Sequence, residues 1–152
     1  MNKSKVVIIS NKFDDVREAI TGAMLLKAIT AGGLTLENII KRKAGSGRPG
    51  LNRVSGKLVS SIQTETLTES KTLAEVQVGT NSEYAAIHEF GGIVKPVTAK
   101  MLSWVDNGVR VFAKLVHIPA RPYMRPAIDE HKTEVIESIE KTLERQIAQA
   151  VK

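Results

Sequence analysis

Residues 62–78 read IQTETLTESKTLAEVQV, two β-prone runs joined by a polar linker. Apolar and polar side chains alternate over 73–78, which is typical of a strand with one buried face. Because the linker 69–72 is short and polar, the two runs predict an antiparallel hairpin. A second hairpin is predicted over 101–116, since its Asp-Asn-Gly turn at 106–108 readily adopts the positive φ angles that tight hairpins require.

The chain before these hairpins predicts a strand and two helices. Residues 5–9 are rich in β-branched side chains and predict a short buried strand. Over 13–27 the apolar residues recur every three or four positions, which indicates a helix. We expect the glycine pair at 32–33 to interrupt this helix, and Thr35 to cap a second one that ends near residue 43.

The chain after the first hairpin supplies two more helices. Residues 83–90 predict a short helix ended by glycines, and 118–126 contains three prolines, which exclude a helix interior or a central strand. Residues 127–151 predict a long helix with one apolar stripe. This order predicts an α+β fold: a mostly antiparallel sheet of two hairpins, packed by N-terminal helices and a long C-terminal helix. We expect one domain over 1–152.

Positive charge is concentrated in one segment. The net charge is +6, and residues 41–53 alone contain five Lys or Arg and no acid. Three glycines and a proline lie within 44–50, so we predict a flexible basic loop at about 44–57 that orders against a partner. Such a loop suits a contact between subunits. It equally suits a phosphate backbone, so a small basic nucleic-acid-binding protein is the alternative function.

Several classes of chemistry are disfavoured by the sequence. The chain has no cysteine, which excludes disulfides and thiolate metal sites. The apolar run at 6–9 is too short for a signal peptide or a membrane span, so we expect a soluble protein without an export signal. The most enzyme-like position is His88, which shares a helix face with Tyr84 and precedes Glu89.

His88 has no second histidine at ligand spacing and belongs to no known catalytic motif. We interpret it as a packed or interfacial histidine, and a small hydrolase using His88 and Glu89 is a further alternative. The sequence therefore predicts a protein that is not an enzyme and has no catalytic residues, metal site or cofactor.

Three segments together resemble a known family. Residues 78–92 (VGTNSEYAAIHEFGG) resemble the signature VGTN-x-x-YA-x-x-x-x-FG of phage tail-completion proteins. Residues 116–124 (VHIPARPYM) look like a second signature, IPARPF, with Tyr123 at the position of the commoner Phe. Residues 53–62 (RVSGKLVSSI) are similar to a third, DTGRL-x-x-SI. These signatures belong to the virion morphogenesis family of Mu-like phages and the related minor tail component family of lambdoid phages.

The matching residues are compatible with a scaffold role. Gly79 and Thr80 would end a strand, Asn81 or Ser82 would cap the next helix, and aromatic side chains would anchor that helix against the sheet. The residues expected to be structural are Gly79, Thr80, Asn81, Tyr84, His88, Phe90, Gly91, Pro119 and Pro122.

The resemblance implies a structural virion protein at the head–tail junction or tail end of a long-tailed phage. Such a protein assembles as a ring of six subunits and contacts tail-tube and head-connector proteins. Whether the protein also makes non-specific contact with DNA in the channel is left open by the sequence, and contact with a membrane is not expected. Its location would be the tail end or neck of the virion, after assembly in the host cytoplasm. Residues expected at subunit or tail-tube contacts are Arg48, Arg53, Lys57, Arg121, Tyr123 and Arg125.

Overall fold

The computed structural model describes residues 6–7, 22–46, 56–70 and 73–150. The elements in chain order are β1 (Val6–Val7), α1 (Gly22–Gly45), α2 (Lys57–Ser60), β2 (Ile62–Glu69), β3 (Ala74–Thr80), α3 (Ala85–Phe90), β4 (Gly92–Val94), β5 (Leu102–Asp106), β6 (Val109–Ala113), β7 (Val116–Ile118) and α4 (Met124–Ala150). They confirm the α+β class.

The main sheet has three antiparallel strands in the order β1-β3-β2. The hairpin predicted over 62–78 is therefore confirmed, and its ladder shifts register between Thr66 and Thr68. β1 confirms the N-terminal strand at Val6–Val7, while the other residues of the predicted segment 5–9 lie outside the described ranges. Ile62, Val76 and Val78 are buried on the face that α1 covers, where they form much of the core.

Helix α1 is continuous through Gly32 and Gly33, so the predicted interruption is wrong. The reason is close packing on both sides of the helix. A Cβ atom on Gly32 would lie 2.5 Å from Ile139 Cγ1, and one on Gly33 would lie 2.7 Å from Thr64 Cγ2. The glycines thus allow α4 and the sheet to approach the backbone of α1.

The predicted start of a second helix at Thr35 is also wrong. Its Oγ1 atom lies 2.9 Å from the carbonyl oxygen of Ala31, one turn back in the same helix, and 2.9 Å from Ser138 Oγ on α4. Thr35 therefore sits inside α1 and links it to α4. Most of the first predicted helix, over 13–21, lies outside the described ranges.

The C-terminal helix packs on α1, which lies between α4 and the main sheet. Val135 and Ile139 of the predicted apolar stripe are buried, and Leu143 packs against them. We expected this helix to cover the sheet directly; the three-layer order is instead sheet, α1, α4. The helix starts at Met124, and its proline at 126 lies in the first turn, where proline is tolerated. It is not the single regular helix predicted, because it is kinked at His131, whose φ of −121° and ψ of 17° are not helical.

The second predicted hairpin is confirmed as β5 and β6, with positive φ angles at Asn107 (49°) and Gly108 (82°). The two hairpins do not share a sheet, however. β5 and β6 form a separate two-stranded sheet, and β4 pairs with β7 in another. The basic loop is shorter than expected, because residues 44–45 end α1 and Lys57 begins α2; residues 47–55 lie outside the described ranges.

By length and composition alone, α1 could cross a membrane, since an 18-residue window within it reaches a mean hydropathy of 1.3. Core helices of globular domains pass the same test. Leu25, Ile29, Ile39 and Ile40 of α1 are buried in the core that the sheet and α4 complete. We therefore interpret α1 as a core helix.

Candidate functional site

The segments 78–92 and 116–124, far apart in sequence, meet in the structure. β4 follows α3 directly and pairs antiparallel with β7, with Gly92 opposite Ile118 and Val94 opposite Val116. The end of α3 is thereby brought against the start of α4. The short β4–β7 ladder is what places the first two signatures side by side.

Gly91 makes the turn between α3 and β4. Its φ is 71°, in the region that L side chains rarely adopt, and a Cβ atom there would lie 2.7 Å from the backbone nitrogen of Ala120. The backbone of the second signature thus packs directly against this glycine. The expected role of Gly91 as a sharp exit from the helix agrees with this geometry.

Glu89 holds the N-terminus of α4. Its side chain is buried, Oε2 accepts the backbone N–H groups of Tyr123 (2.7 Å) and Met124 (3.0 Å), and Oε1 accepts that of Arg125 (3.0 Å). These N–H groups have no partner within the helix, and a carboxylate is favoured near the positive end of the helix dipole. Glu89 therefore caps α4 from a different element.

A backbone contact extends this cap. The N–H of Arg121 donates to the carbonyl oxygen of His88 at 2.8 Å. Four backbone donors between residues 121 and 125 are thus held by two consecutive residues of α3. We call residues 88–89 and 121–125 the Glu89 cluster.

The sequence did not reveal this role of Glu89, which entered only as a partner of His88 in a hypothetical hydrolase. Two signals were present. Glu89 lies four residues after Ala85, on the same face of α3. In addition, α4 has no acidic residue in its first turn, which leaves its N-terminal N–H groups open to a carboxylate from another element.

The two signature aromatic residues of α3 lie on the surface. Tyr84 is 65% exposed and Phe90 is 61% exposed, so the expectation that they anchor α3 against the sheet is wrong. The buried positions of this short helix are Ala85 and Glu89. A helix of six residues has only one narrow face to bury, and the aromatic rings fall outside it.

The turn into α3 differs from expectation as well. Neither Asn81 nor Ser82 caps the helix, whose N-cap residue is Tyr84 without a side-chain bond. Instead Thr80 Oγ1 accepts the Ser82 N–H at 3.1 Å and lies 2.6 Å from Ser61 Oγ. Thr80 thereby ties the end of β3 to the segment that follows α2.

Tyr123 is 1% exposed, and its hydroxyl has no hydrogen-bond partner among the described residues. Burial, with a contribution from the charge of Glu89, raises the pKa of this phenol, so it stays protonated. The side chain is enclosed by the core and offers no surface to a neighbouring subunit, contrary to the expectation for this residue. Arg121 is half-buried and Arg125 is exposed, so both remain accessible.

Replacing Tyr123 with phenylalanine is expected to raise the free energy of unfolding by about 1 kcal/mol, because it removes a buried hydroxyl without a partner and keeps the ring. Urea unfolding monitored by circular dichroism measures the change. Tyr84→Phe is the control, since that ring is exposed and should change stability by less than about 0.5 kcal/mol. A clear loss of stability in Tyr123→Phe would show that the hydroxyl is hydrogen-bonded.

The sequence profile of the phage virion morphogenesis family matches residues 36–146, well over half of the 152-residue chain. The chain belongs to the phage virion morphogenesis family. The matched range runs from within α1 to within α4 and contains the whole Glu89 cluster. This is a structural and assembly family and is not known for enzymatic activity. No curated protein and no solved structure matches the chain.

The basic stretch of this virion morphogenesis protein is largely paired within the chain. Lys41 Nζ lies 2.6 Å from Glu37 Oε1, and Arg42 and Lys43 pair with Glu134 and Glu130 of α4. Of the five expected cations, three therefore form ion pairs with glutamates of the same chain. Arg48 and Arg53 lie outside the described ranges, and Lys57 is exposed at the start of α2.

The carboxylate of Glu37, which pairs with Lys41, accepts hydrogen bonds from two side chains. Burial alone would raise the pKa of its carboxyl group, but hydrogen bonds from Lys41 and from Thr64 Oγ1 (2.7 Å) lower the pKa below its ordinary value. Glu37 thus stays ionised and connects α1 to β2.

The surroundings of His88 do not form a catalytic arrangement. Burial and the nearby charge of Arg121 lower the pKa of His88, which favours the neutral ring. Both oxygens of Glu89 accept backbone N–H groups at the start of α4, so the structure assigns this side chain a capping role. Within the described ranges, no group of three or more metal-binding side chains is present.

Proposed function

We propose that this phage protein is a tail-completion or terminator subunit, placed at the head–tail junction or tail end of a long-tailed bacteriophage, that works as a ring of six copies. Membership of the phage virion morphogenesis family supports a structural role in phage assembly. The observation that carries the finer proposal is the Glu89 cluster, which joins two signatures into one firmly held surface. The relation to minor tail components of lambdoid phages is part of the same proposal.

The surface around this cluster has the composition of a docking site. Tyr84, Phe90 and Ile93 each expose half or more of their side chains. Arg121 lies in the second signature, and Arg125 directly follows it. Aromatic residues and arginine are enriched at protein interfaces, and contiguous exposed apolar side chains usually mark a contact. Because the Glu89 cap holds the backbone of 121–125, only the side chains of the two arginines need to be ordered on binding.

We assign the contacts as follows. Arg121 and Arg125 pair with carboxylates of a neighbouring copy or of the tail-tube protein. Arg48 and Arg53, together with Lys57 at the start of α2, make a second contact. Head-connector proteins meet the opposite side of the ring, and DNA passing through the channel is touched only non-specifically. The protein would be found in the virion neck or tail end, after assembly in the host cytoplasm.

The nucleic-acid-binding alternative is less well supported. Its case rested on the charges at 41–53, and three of these cations already face glutamates of the same chain. If DNA binding were the function, the affinity for duplex DNA would be high at low salt and fall steeply with added salt, without any other virion protein. A gel-shift titration at two salt concentrations separates the two functions.

The proposal predicts that phage lacking this protein make heads and tails that fail to join, or tails of irregular length, as seen by electron microscopy. When the phage that lacks the protein is supplied with the Arg121→Ala/Arg125→Ala variant, the yield of infectious particles should be at least about tenfold lower than with the wild-type protein. The reason is that buried interface arginines often dominate binding. Lys95→Ala/Lys100→Ala is the control, because both lysines are exposed and lie outside the signatures. Normal, infectious particles without the protein would refute the proposal.

A further inference from the structure

The hairpin of β5 and β6, residues 102–113, forms its own two-stranded sheet. We call it the arm. Its strands pair only with each other, and no other helix or strand packs against it beyond sparse contacts. A two-stranded hairpin alone is marginally stable in water, and both faces of this one carry apolar side chains. The arm is therefore expected to gain stability from a partner.

The pairing register assigns the side chains to two faces. Trp104 lies on one face, and the cross-strand pairs on the other face are Val105 with Arg110 and Ser103 with Phe112. Val105 is 63% exposed and Phe112 is 57% exposed. This second face thus combines exposed apolar groups with a cation, so its partner should be apolar and acidic.

A surface with that chemistry is present on α4. Glu137, Glu140 and Glu144 are spaced by three and four residues and lie away from the side that Val135 and Ile139 bury against α1. All three glutamates are exposed, and none forms an ion pair with another described residue. We call them the acidic stripe.

The acidic stripe is suited to a cationic partner in two ways. Like charges three and four residues apart on a helix repel each other. Lys141, four residues after Glu137 and three before Glu144, offsets part of that repulsion, and a cation from a partner offsets more of it. Ile136, which is 37% exposed, lies next to Glu140 on the helix surface and offers an apolar contact. The stripe therefore presents acidic groups that complement the cation of the arm and an apolar group that can pack on its exposed apolar side chains.

The two surfaces also agree in length. Arg110 lies in β6 and Lys114 follows the end of that strand, so the two are at most about 13 Å apart along the chain. Glu137 and Glu144 are seven residues apart, which is about 10 Å along a helix. Within one chain, neither of these two cations is paired with the stripe.

We propose that the arm of one copy docks on the acidic stripe of the next copy, with Arg110 and Lys114 facing the glutamates and Phe112 packing near Ile136. The two surfaces are different, so the contact is head-to-tail and repeats from copy to copy until a ring closes. This inference rests on the proposed ring assembly and names the elements that build it.

Charge reversal tests the contact. Arg110→Glu/Lys114→Glu should weaken self-association of the full chain at least about 100-fold, as measured by sedimentation and mass photometry, because like charges would then face each other. Lys95→Glu/Lys100→Glu changes the net charge by the same amount outside the arm, and should assemble like the wild type. Assembly of the wild type should also weaken at high salt.

A mixing experiment guards against misfolding of the variants. Glu137→Lys/Glu140→Lys should also fail to assemble alone. In an equimolar mixture with Arg110→Glu/Lys114→Glu, every arm meets a stripe of opposite charge, so rings of even number should return. Recovery on mixing, with unchanged circular dichroism of each variant, supports the proposal.

Three results would overturn it. The first is an arm variant that assembles as the wild type does, which would leave the ring and the proposed function intact but move the contact elsewhere. The second is a mixture that does not assemble. The third is a wild-type chain that stays monomeric at millimolar concentration. If the arm variant then also failed to bind tail-tube protein, the arm would be a binding surface for tail-tube protein and not for a second copy. Failure of the proposed function itself shows separately, as infectious particles that lack the protein.

Discussion

Replacing Glu89 with alanine is expected to lower the free energy of unfolding by roughly 3–5 kcal/mol, because three backbone N–H groups at the start of α4 lose their acceptor and two of these bonds are buried. A lost helix cap costs about 1 kcal/mol at exposed sites, and burial adds the penalty of donors that water cannot reach. Urea unfolding of the purified chain measures the loss.

Two variants control for this result. Glu89→Gln keeps the size of the side chain and one acceptor oxygen, but turns an amide N–H₂ toward a backbone donor, so its loss should be intermediate. Glu83→Ala removes an exposed glutamate of the same signature and should change stability by less than about 0.5 kcal/mol. If Glu89→Ala were as stable as Glu83→Ala, the cap would not hold α4 in place.

The secondary structure could be predicted where the pattern is local. Alternation over 73–78 and the Asn-Gly turn at 107–108 identified both hairpins, and the apolar stripe identified α4. The arrangement of these elements could not be read in the same way. Whether two hairpins share a sheet depends on contacts between distant segments, and β5 has the same alternation whether or not a third strand pairs with it.

The signatures located the candidate site, but the roles predicted for some of its residues were wrong. Tyr84 and Phe90 were placed inside because large aromatic rings are usually buried, whereas α3 has room to bury only Ala85 and Glu89. A carboxylate that caps a helix from another element leaves no periodic mark in the sequence. Its partners lie more than thirty residues away, so only the fold brings them together.

Gly33 illustrates a conflict between local preference and packing. Glycine is unfavourable inside a helix by about 1 kcal/mol relative to alanine, which is why the pair at 32–33 suggested a break. In the structure a Cβ atom on Gly33 would lie 2.7 Å from Thr64 Cγ2 and 2.8 Å from Val76 Cγ1. Both are methyl groups of β-branched residues, which have little freedom to rotate away.

Gly33→Ala is therefore expected to lower the free energy of unfolding by about 2 kcal/mol, because the cost of overpacking exceeds the gain in helix propensity. Gly45→Ala, in the same helix, is the matched control: its Cβ would meet Val59 Cγ2 at 3.8 Å, an ordinary contact, so stability should hold or rise slightly.

A second variant tests the contact itself. Val76→Ala removes one of the two methyl groups with which the new Cβ atom of Gly33→Ala would clash. Combined with Gly33→Ala, it should cost less than the sum of the single losses, by 0.5 kcal/mol or more in a double-mutant cycle, since the two sites share one contact. Strict additivity in urea unfolding would mean that α1 and the sheet do not meet at Gly33, and the three-layer order of the core would have to be revised.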